Sequence, residues 1–288
     1  MKYWGESSDS HIQFSQTPFY QRFRAVREDI NEEGYYGDTL RSSDVVFLGT
    51  CDVMSAVSHS DHHWARKIHA SLHPTSPFIA LGSIGVGLPT MVRRLFSYIE
   101  NYGPPKHLYM TVPRFDGYEF VLESGKCYNA STRSKSASYM HSVGGVTDKE
   151  YEIWQAQLST NKKALHKLQI QYMLEERFSF IETICKLHQI DLKWSFNLSD
   201  ASIITLFNNL ETIRNISTFM QKSFVGLAPI MDIEEEDHTI GPLTHSEIFN
   251  KFTNPSVWDF EDTNRQSLAN INWLKLRYGT ATISGENA

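Results

Sequence analysis

Short apolar runs alternate with amphipathic stretches in the first half of the chain. The runs predict strands at Val45–Gly49, Pro77–Gly82 and His107–Val112. The stretches between them, His62–Leu72 and Thr90–Glu100, repeat apolar residues at helical spacing. Strand, helix, strand, helix and strand in this order predict right-handed crossovers and a parallel sheet. The expected fold class is therefore α/β, a three-layer α/β/α sandwich.

The second half of the chain predicts further elements of the same domain. Residues 148–188 form the longest helical pattern, and Asp191–Phe196 reads as a strand that returns to the sheet. Residues 201–231 are apolar without a clear period, and Gly241–Phe252 predicts a loop that enters a helix. We expect one domain, residues 41–252.

Three segments differ in composition from this domain. Residues 1–40 are aromatic and polar with scattered glycines, which predicts an N-terminal extension with short strands or turns. Residues 123–147 are rich in Ser, Gly and Lys, which predicts a surface excursion or lid. Residues 253–288 predict a C-terminal arm.

Composition narrows the possible partners. The 288 residues carry a formal charge of −6, so nucleic acid is not an expected partner. The chain contains no run of about 18 apolar residues, so no membrane span is expected. The first residues lack the basic and apolar regions of a secretory signal, so none is expected. Cys51, Cys127 and Cys185 form neither a disulfide framework nor a zinc pattern.

Acyl transfer on such a sheet needs a nucleophile on a tight turn after a central strand. Cys51 holds that position, directly after Gly49 and Thr50. The chemistry also needs backbone N–H donors for an oxyanion, which a turn containing Gly85 can supply. A histidine oriented by a carboxylate completes the set, and His238 with Glu235 three residues earlier is the candidate pair.

Four segments in this order resemble the SGNH (GDSL-type) hydrolases, and especially the SGNH-like proteins of tailed bacteriophages. They are Asn31–Cys51, His62–Ile68, Ile79–Gly87 and Glu235–His245. The resemblance extends over roughly residues 15–252 and implies an SGNH/flavodoxin-like fold.

The resemblance also implies roles for individual residues. Cys51 stands where the family has its nucleophilic serine, and His238 stands at the general base. Glu235, or alternatively Asp237, would orient His238, and the N–H groups of Cys51 and Gly85 would hold the oxyanion. No cofactor and no metal are implied.

The sequence departs from the family pattern at several of these positions. Cysteine replaces serine at Cys51, Glu235 replaces an aspartate, and one residue is inserted between His238 and Gly241. The family's oxyanion asparagine has no clear match, because residues 111–120 stand in its place.

Two functions therefore stay open. The departures favour a protein with a degenerate site that serves as a structural or host-attachment component of the virion. Its partners would be other virion proteins or a second copy held by the 253–288 arm, and it would be made in the host cytoplasm. The alternative is an active carboxylic-ester hydrolase, for example a deacetylase of host surface glycans, which uses Cys51 and His238.

Simpler interpretations exist for two of these features. Cys51 is also consistent with an ordinary buried thiol at a strand end. His69 and His73 have the i, i+4 spacing of metal ligands, but no acidic third ligand accompanies them, so we expect no metal there.

Overall fold

The structure is a computed structural model. It describes the following residues: 35–54, 62–82, 87–112, 117–121, 127–131, 147–161, 166–198, 222–229, 232 and 240–255.

Eight strands and six helices lie within these ranges. The strands are β1 (Tyr36–Gly37), β2 (Val45–Gly49), β3 (Ile79–Gly82), β4 (His107–Val112), β5 (Gly117–Val121), β6 (Cys127–Ser131), β7 (Asp191–Leu198) and β8 (Phe224–Pro229). The helices are α1 (Cys51–Met54), α2 (Trp64–Leu72), α3 (Leu88–Tyr102), α4 (Asp148–Asn161), α5 (His166–His188) and α6 (Pro242–Thr253).

Six of the strands form one sheet in the order β1-β3-β2-β4-β7-β8. All neighbours are parallel except β1, which pairs antiparallel with β3. The predicted α/β class is therefore confirmed. The central strand β2 matches Phe47 with Ala80 of β3 and with Tyr109 of β4.

The side chains of β2 alternate between two apolar clusters, because successive residues of a strand point to opposite faces. Val46 and Leu48 belong to a cluster that includes residues of α3 and α5. Val45 and Phe47 belong to a second cluster that includes residues of α2 and α6. The helices α2 and α3 thus lie on opposite sides of β2.

The helix starts differ slightly from those expected from periodicity. Helix α2 begins at Trp64 because the side chain of His63 caps it by accepting a hydrogen bond from the Arg66 amide. Helix α3 begins at Leu88 rather than Thr90, since Pro89 suits the first turn of a helix.

Residues 148–188 were expected to form one helical pattern. The described residues there form α4 and α5, and residues 162–165 lie outside the description. Across the described ranges, no helix has the length and apolar character needed to cross a membrane.

Three strands, β5, β6 and β8, were not predicted from the sequence, and β1 was predicted only as one of the short strands or turns of the N-terminal extension. Strand β1 falls in the predicted N-terminal extension, yet Tyr36 is fully buried. Strand β6 falls in the predicted excursion 123–147 and pairs with β5 as a two-stranded sheet. Strand β8 falls in the unassigned region 201–231 and extends the main sheet next to β7.

Candidate functional site

The carboxyl end of β2 is the point at which the chain changes direction across the sheet. From β2 the chain runs through α2 to β3 on one side, and then through α3 to β4 on the other side. Such a switch point leaves a crevice outside the carboxyl ends of the strands, where ligands bind in open α/β sheets. Gly49, Thr50 and Cys51 lie at this position.

The turn after β2 is tight and passes directly into a helix. Cys51 is the first residue of the short helix α1, and Val53 N–H donates to the Thr50 carbonyl at 3.1 Å. A Cβ atom at Gly49 would overlap Thr111 Oγ1 and the Val53 side chain, so only glycine fits at that point. The structure describes the backbone of Cys51 and leaves its side chain undescribed.

Asp52 follows Cys51 and is completely buried. Its Oδ1 accepts hydrogen bonds from Thr50 N–H at 3.0 Å and from Thr50 Oγ1 at 2.9 Å. Its Oδ2 accepts a short hydrogen bond from Thr111 Oγ1, at the end of β4. Burial raises the pKa of this carboxyl above its ordinary value of 3.8, although the bonds from Thr111 and Thr50 act in the opposite direction.

The main-chain carbonyl of Asp52 contacts the start of α2. It accepts hydrogen bonds from His63 Nε2 and from the Trp64 indole N–H, each at 3.0 Å. Because a carbonyl only accepts, His63 Nε2 is the donor in its bond, and His63 Nδ1 accepts from the Arg66 amide at 3.4 Å. His63 thus joins α1 to α2.

The first turn of α6 closes this cluster. His245 Nδ1 accepts a hydrogen bond from the Trp64 amide at 3.5 Å, and the rings of His245 and His63 lie 5.2 Å apart. His245 is buried. Four elements, α1, β4, α2 and α6, are therefore linked through polar groups next to the turn that carries Cys51.

Asp232 binds the amino end of α6, although it lies well before the helix in the sequence. Its carboxylate accepts from the amides of Leu243 at 2.9 Å and Thr244 at 2.8 Å, and its carbonyl accepts from Gly241 N–H at 3.0 Å. These contacts satisfy backbone donors that no intrahelical carbonyl reaches, and a negative charge suits a helix amino terminus. Asp232 thus caps the first turn of α6 and lies next to Gly241.

The four predicted site residues are described to different extents. The backbone of Cys51 lies at the switch point, as outlined above. Gly85, Glu235 and His238 lie outside the described residues, as do Asp237 and most of the predicted arm and extension.

Sequence reasoning did not single out the residues that form the buried cluster. Asp52, His63, Thr111 and His245 all contribute polar groups to it. One signal was present in the sequence: a charged residue directly follows a predicted strand and turn, where an apolar residue would otherwise be buried. Its partners come from distant parts of the chain, so no local pattern names them.

The histidines at metal-ligand spacing make other contacts. His69 Nε2 donates to the Ser76 carbonyl at 2.6 Å, and His73 Nε2 is 3.0 Å from the Tyr109 hydroxyl. Within the described ranges, no group of three His, Cys, Asp or Glu residues is placed to hold a metal ion.

Comparison of the chain with protein-family models, curated proteins and solved structures finds no match.

Proposed function

We propose that the carboxyl end of β2 is a hydrolase site for carboxylic esters, with Cys51 as its nucleophile, on an SGNH-like three-layer domain. One observation carries the proposal. Cys51 begins a helix directly after a tight turn, at the switch point of a parallel sheet, and a buried carboxyl is hydrogen-bonded below it. The burial of polar groups costs free energy of folding, so a buried polar cluster next to this turn favours a functional role for the turn.

The positions of the segments that resemble SGNH hydrolases support the proposal. Asp52, the residue directly after the first of these segments, is hydrogen-bonded to Thr50 of that segment and to His63 and Trp64 of the second. Trp64 is in turn bonded to His245, the last residue of the fourth. Asp232 and Gly241, which precede and follow Glu235 and His238 in the sequence, are hydrogen-bonded to each other at the first turn of α6, the turn that contains His245.

The proposed reaction proceeds in two steps. His238 accepts the proton of the Cys51 thiol, and the sulfur bonds to the ester carbonyl carbon. The alcohol leaves with the proton that His238 returns, and a thioester remains. Water, deprotonated by His238, then attacks the thioester, which releases the acid and restores the thiol. Glu235 or Asp237 orients His238, and the N–H groups of Cys51 and Gly85 bind the oxyanion. An acetyl ester of a host surface glycan is the proposed substrate, and no cofactor is needed.

A second candidate function is a non-catalytic virion component that keeps the fold. The end of β4 favours it, because the Thr111 hydroxyl there is bonded to Asp52 and supplies no amide donor for an oxyanion. The loss of one such donor costs about 3–4 kcal/mol of transition-state stabilisation. In this case the protein binds other virion proteins or a second copy through residues 253–288.

Hydrolysis of p-nitrophenyl acetate by the purified protein tests the two functions. We expect turnover that Cys51→Ala and His238→Ala both abolish. Cys185→Ala is the matched control, because burial raises the pKa of the Cys185 thiol to about 12 and leaves it unreactive. Wild-type turnover no faster than that of folded Cys51→Ala would contradict the hydrolase and favour the virion component.

A further inference from the structure

Asp52 occupies an unusual position, because one buried residue joins three parts of the candidate site. Its carboxyl binds the turn through Thr50 and the end of β4 through Thr111. Its carbonyl binds the start of α2 through His63 and Trp64. Since Asp52 is the next residue after Cys51, any displacement of Asp52 also displaces the backbone of Cys51.

The carboxyl of Asp52 lies among uncharged donors. Within the described residues its hydrogen bonds come from one amide and two hydroxyls. The other titratable side chains described in the cluster are His63 and His245. The Arg66 side chain is directed elsewhere, to the Tyr36 hydroxyl at 2.6 Å.

The charge of this carboxyl matters for a neighbouring thiol. A carboxylate on the residue next to Cys51 would disfavour the thiolate, because like charges repel. A neutral carboxylic acid avoids this and keeps all three contacts. Oδ1 still accepts from Thr50, and protonation of Oδ2 reverses the bond to Thr111, so that the Oδ2 hydroxyl donates to Thr111 Oγ1. The bonds from Thr50 and Thr111 favour the carboxylate, but full burial without a positively charged donor among the described residues favours the acid form.

We infer that Asp52 is the positioning residue of this site, which as a neutral carboxylic acid holds the turn in the conformation that keeps Cys51 reactive. The inference rests on the proposed function in one respect, namely that Cys51 is the reactive group. Asp52 acts through the backbone of its neighbour and is not proposed to touch the substrate.

The test follows the alkylation of Cys51 by iodoacetamide over pH 6–10, read for the Cys51 peptide by mass spectrometry in the folded full chain. We expect Asp52→Asn to keep the wild-type pH–rate profile, because an amide makes the same three bonds without charge. Asp52→Ala should shift the profile to higher pH by about one pKa unit, which makes alkylation about tenfold slower at any pH below the thiol pKa. Thr111→Val should shift it in the same direction, by less.

Ser43→Ala is the matched control. The Ser43 hydroxyl is also buried and bonded to a carbonyl, that of Pro77, but it lies at the amino end of β2. This variant loses a buried hydrogen bond and should leave Cys51 alkylation unchanged. Thr111→Val keeps the inference testable if Asp52→Ala does not fold.

Each contrary result has a distinct meaning. An unchanged profile in folded Asp52→Ala, or in Thr111→Val alone if Asp52→Ala does not fold, overturns the positioning role and leaves the hydrolase proposal standing. A shift of about one pKa unit in Asp52→Asn overturns the neutral form. A wild-type Cys51 that does not react at any pH overturns both this inference and the proposed function. Alkylation needs no turnover, so an enzyme inactive on esters still gives a result.

Discussion

Gly49 is the residue on which the shape of the candidate site depends most directly. A Cβ atom there would overlap the Thr111 hydroxyl and the Val53 side chain. Thr111 is the partner of the Asp52 carboxyl, and Val53 belongs to α1. The absence of a side chain at Gly49 therefore allows β2, β4 and α1 to approach closely enough for the buried cluster to form.

We expect Gly49→Ala to lower the free energy of unfolding by about 1–3 kcal/mol, the usual cost of overpacking. It should also displace Thr111 and change the rate of Cys51 alkylation. Gly103→Ala is the control, since that glycine has a φ of +85° and open space around it. It should cost about 1–2 kcal/mol through its backbone alone and leave Cys51 unaffected. Urea denaturation measures the change in stability, and alkylation of the Cys51 peptide measures the change in reactivity. Equal alkylation rates in the two variants would contradict the role assigned to Gly49.

At the scale of elements, the amino end of α6 depends on a residue outside the helix. Gly241 precedes α6 and has no side chain to cap it, so Asp232 supplies the acceptor oxygens instead. Helix α6 also positions His245 against α2. One carboxylate therefore supports the helix that carries His245.

We expect Asp232→Ala to lower the free energy of unfolding by about 0.5–2 kcal/mol, as the loss of a helix cap does. The amides of Leu243 and Thr244 lose their acceptor, so their hydrogen exchange should become faster. Asp232→Asn keeps an acceptor oxygen and should lose less than Asp232→Ala. Hydrogen exchange followed by mass spectrometry gives the comparison. Unchanged exchange at these amides in Asp232→Ala would show that the contact is not needed.

At the scale of the whole molecule, a cluster of charged and aromatic groups joins α2, β4 and β7 near the amino ends of the strands. His73 Nε2 lies 3.0 Å from the Tyr109 hydroxyl, and the His73 ring lies 4.7 Å from that of His107. His107 in turn lies 3.2 Å from a carboxylate oxygen of Asp191. Desolvation, followed by the charge of His107, lowers the pKa of His73 below its ordinary value of 6.5.

This shift predicts the response of the fold to acid. The unfolded chain binds a proton at His73 below pH 6.5, whereas the folded chain binds it only at a lower pH. The contribution of His73 to the free energy of unfolding is therefore complete above pH 6.5. It is lost as the pH falls through the pKa of His73 in the folded chain. Urea denaturation between pH 7.5 and 5 should show a smaller loss for His73→Gln than for wild type. His62→Gln, at an exposed histidine, should follow wild type. An equal loss of stability between pH 7.5 and 5 in all three proteins would contradict the assignment of this effect to His73.

Hydrophobic periodicity was sufficient to predict the elements that lie deepest in the sheet. Strands β2 and β4 and the helices α2 and α3 are where their apolar patterns placed them, within two residues at each end. Strand β1 could be predicted only as one of several short strands or turns, because a two-residue strand has no period and its pairing depends on β3. Strand β8 was missed because Gly226, at a φ of +118°, interrupts an already short run.

The candidate site was predictable in position but not in composition. A short apolar run that ends in glycine placed Cys51 at a strand end, and the structure puts that end at a switch point. Asp52 and Thr111 are 59 residues apart in the chain, and Trp64 and His245 are 181 apart. Sequence patterns of a single chain report neighbours within one element and not contacts across elements.

The sequence by itself determined the α/β class, the central strands and the place of Cys51, because side-chain period and glycine conformation are local properties. The tertiary structure alone decided that Asp52 is buried, that its carboxyl binds Thr111 and that its carbonyl binds His63 and Trp64. Those contacts exist only once β2, β4 and α2 pack together. The electrostatic environment of the turn that carries Cys51 is therefore determined by tertiary contacts and not by the local sequence.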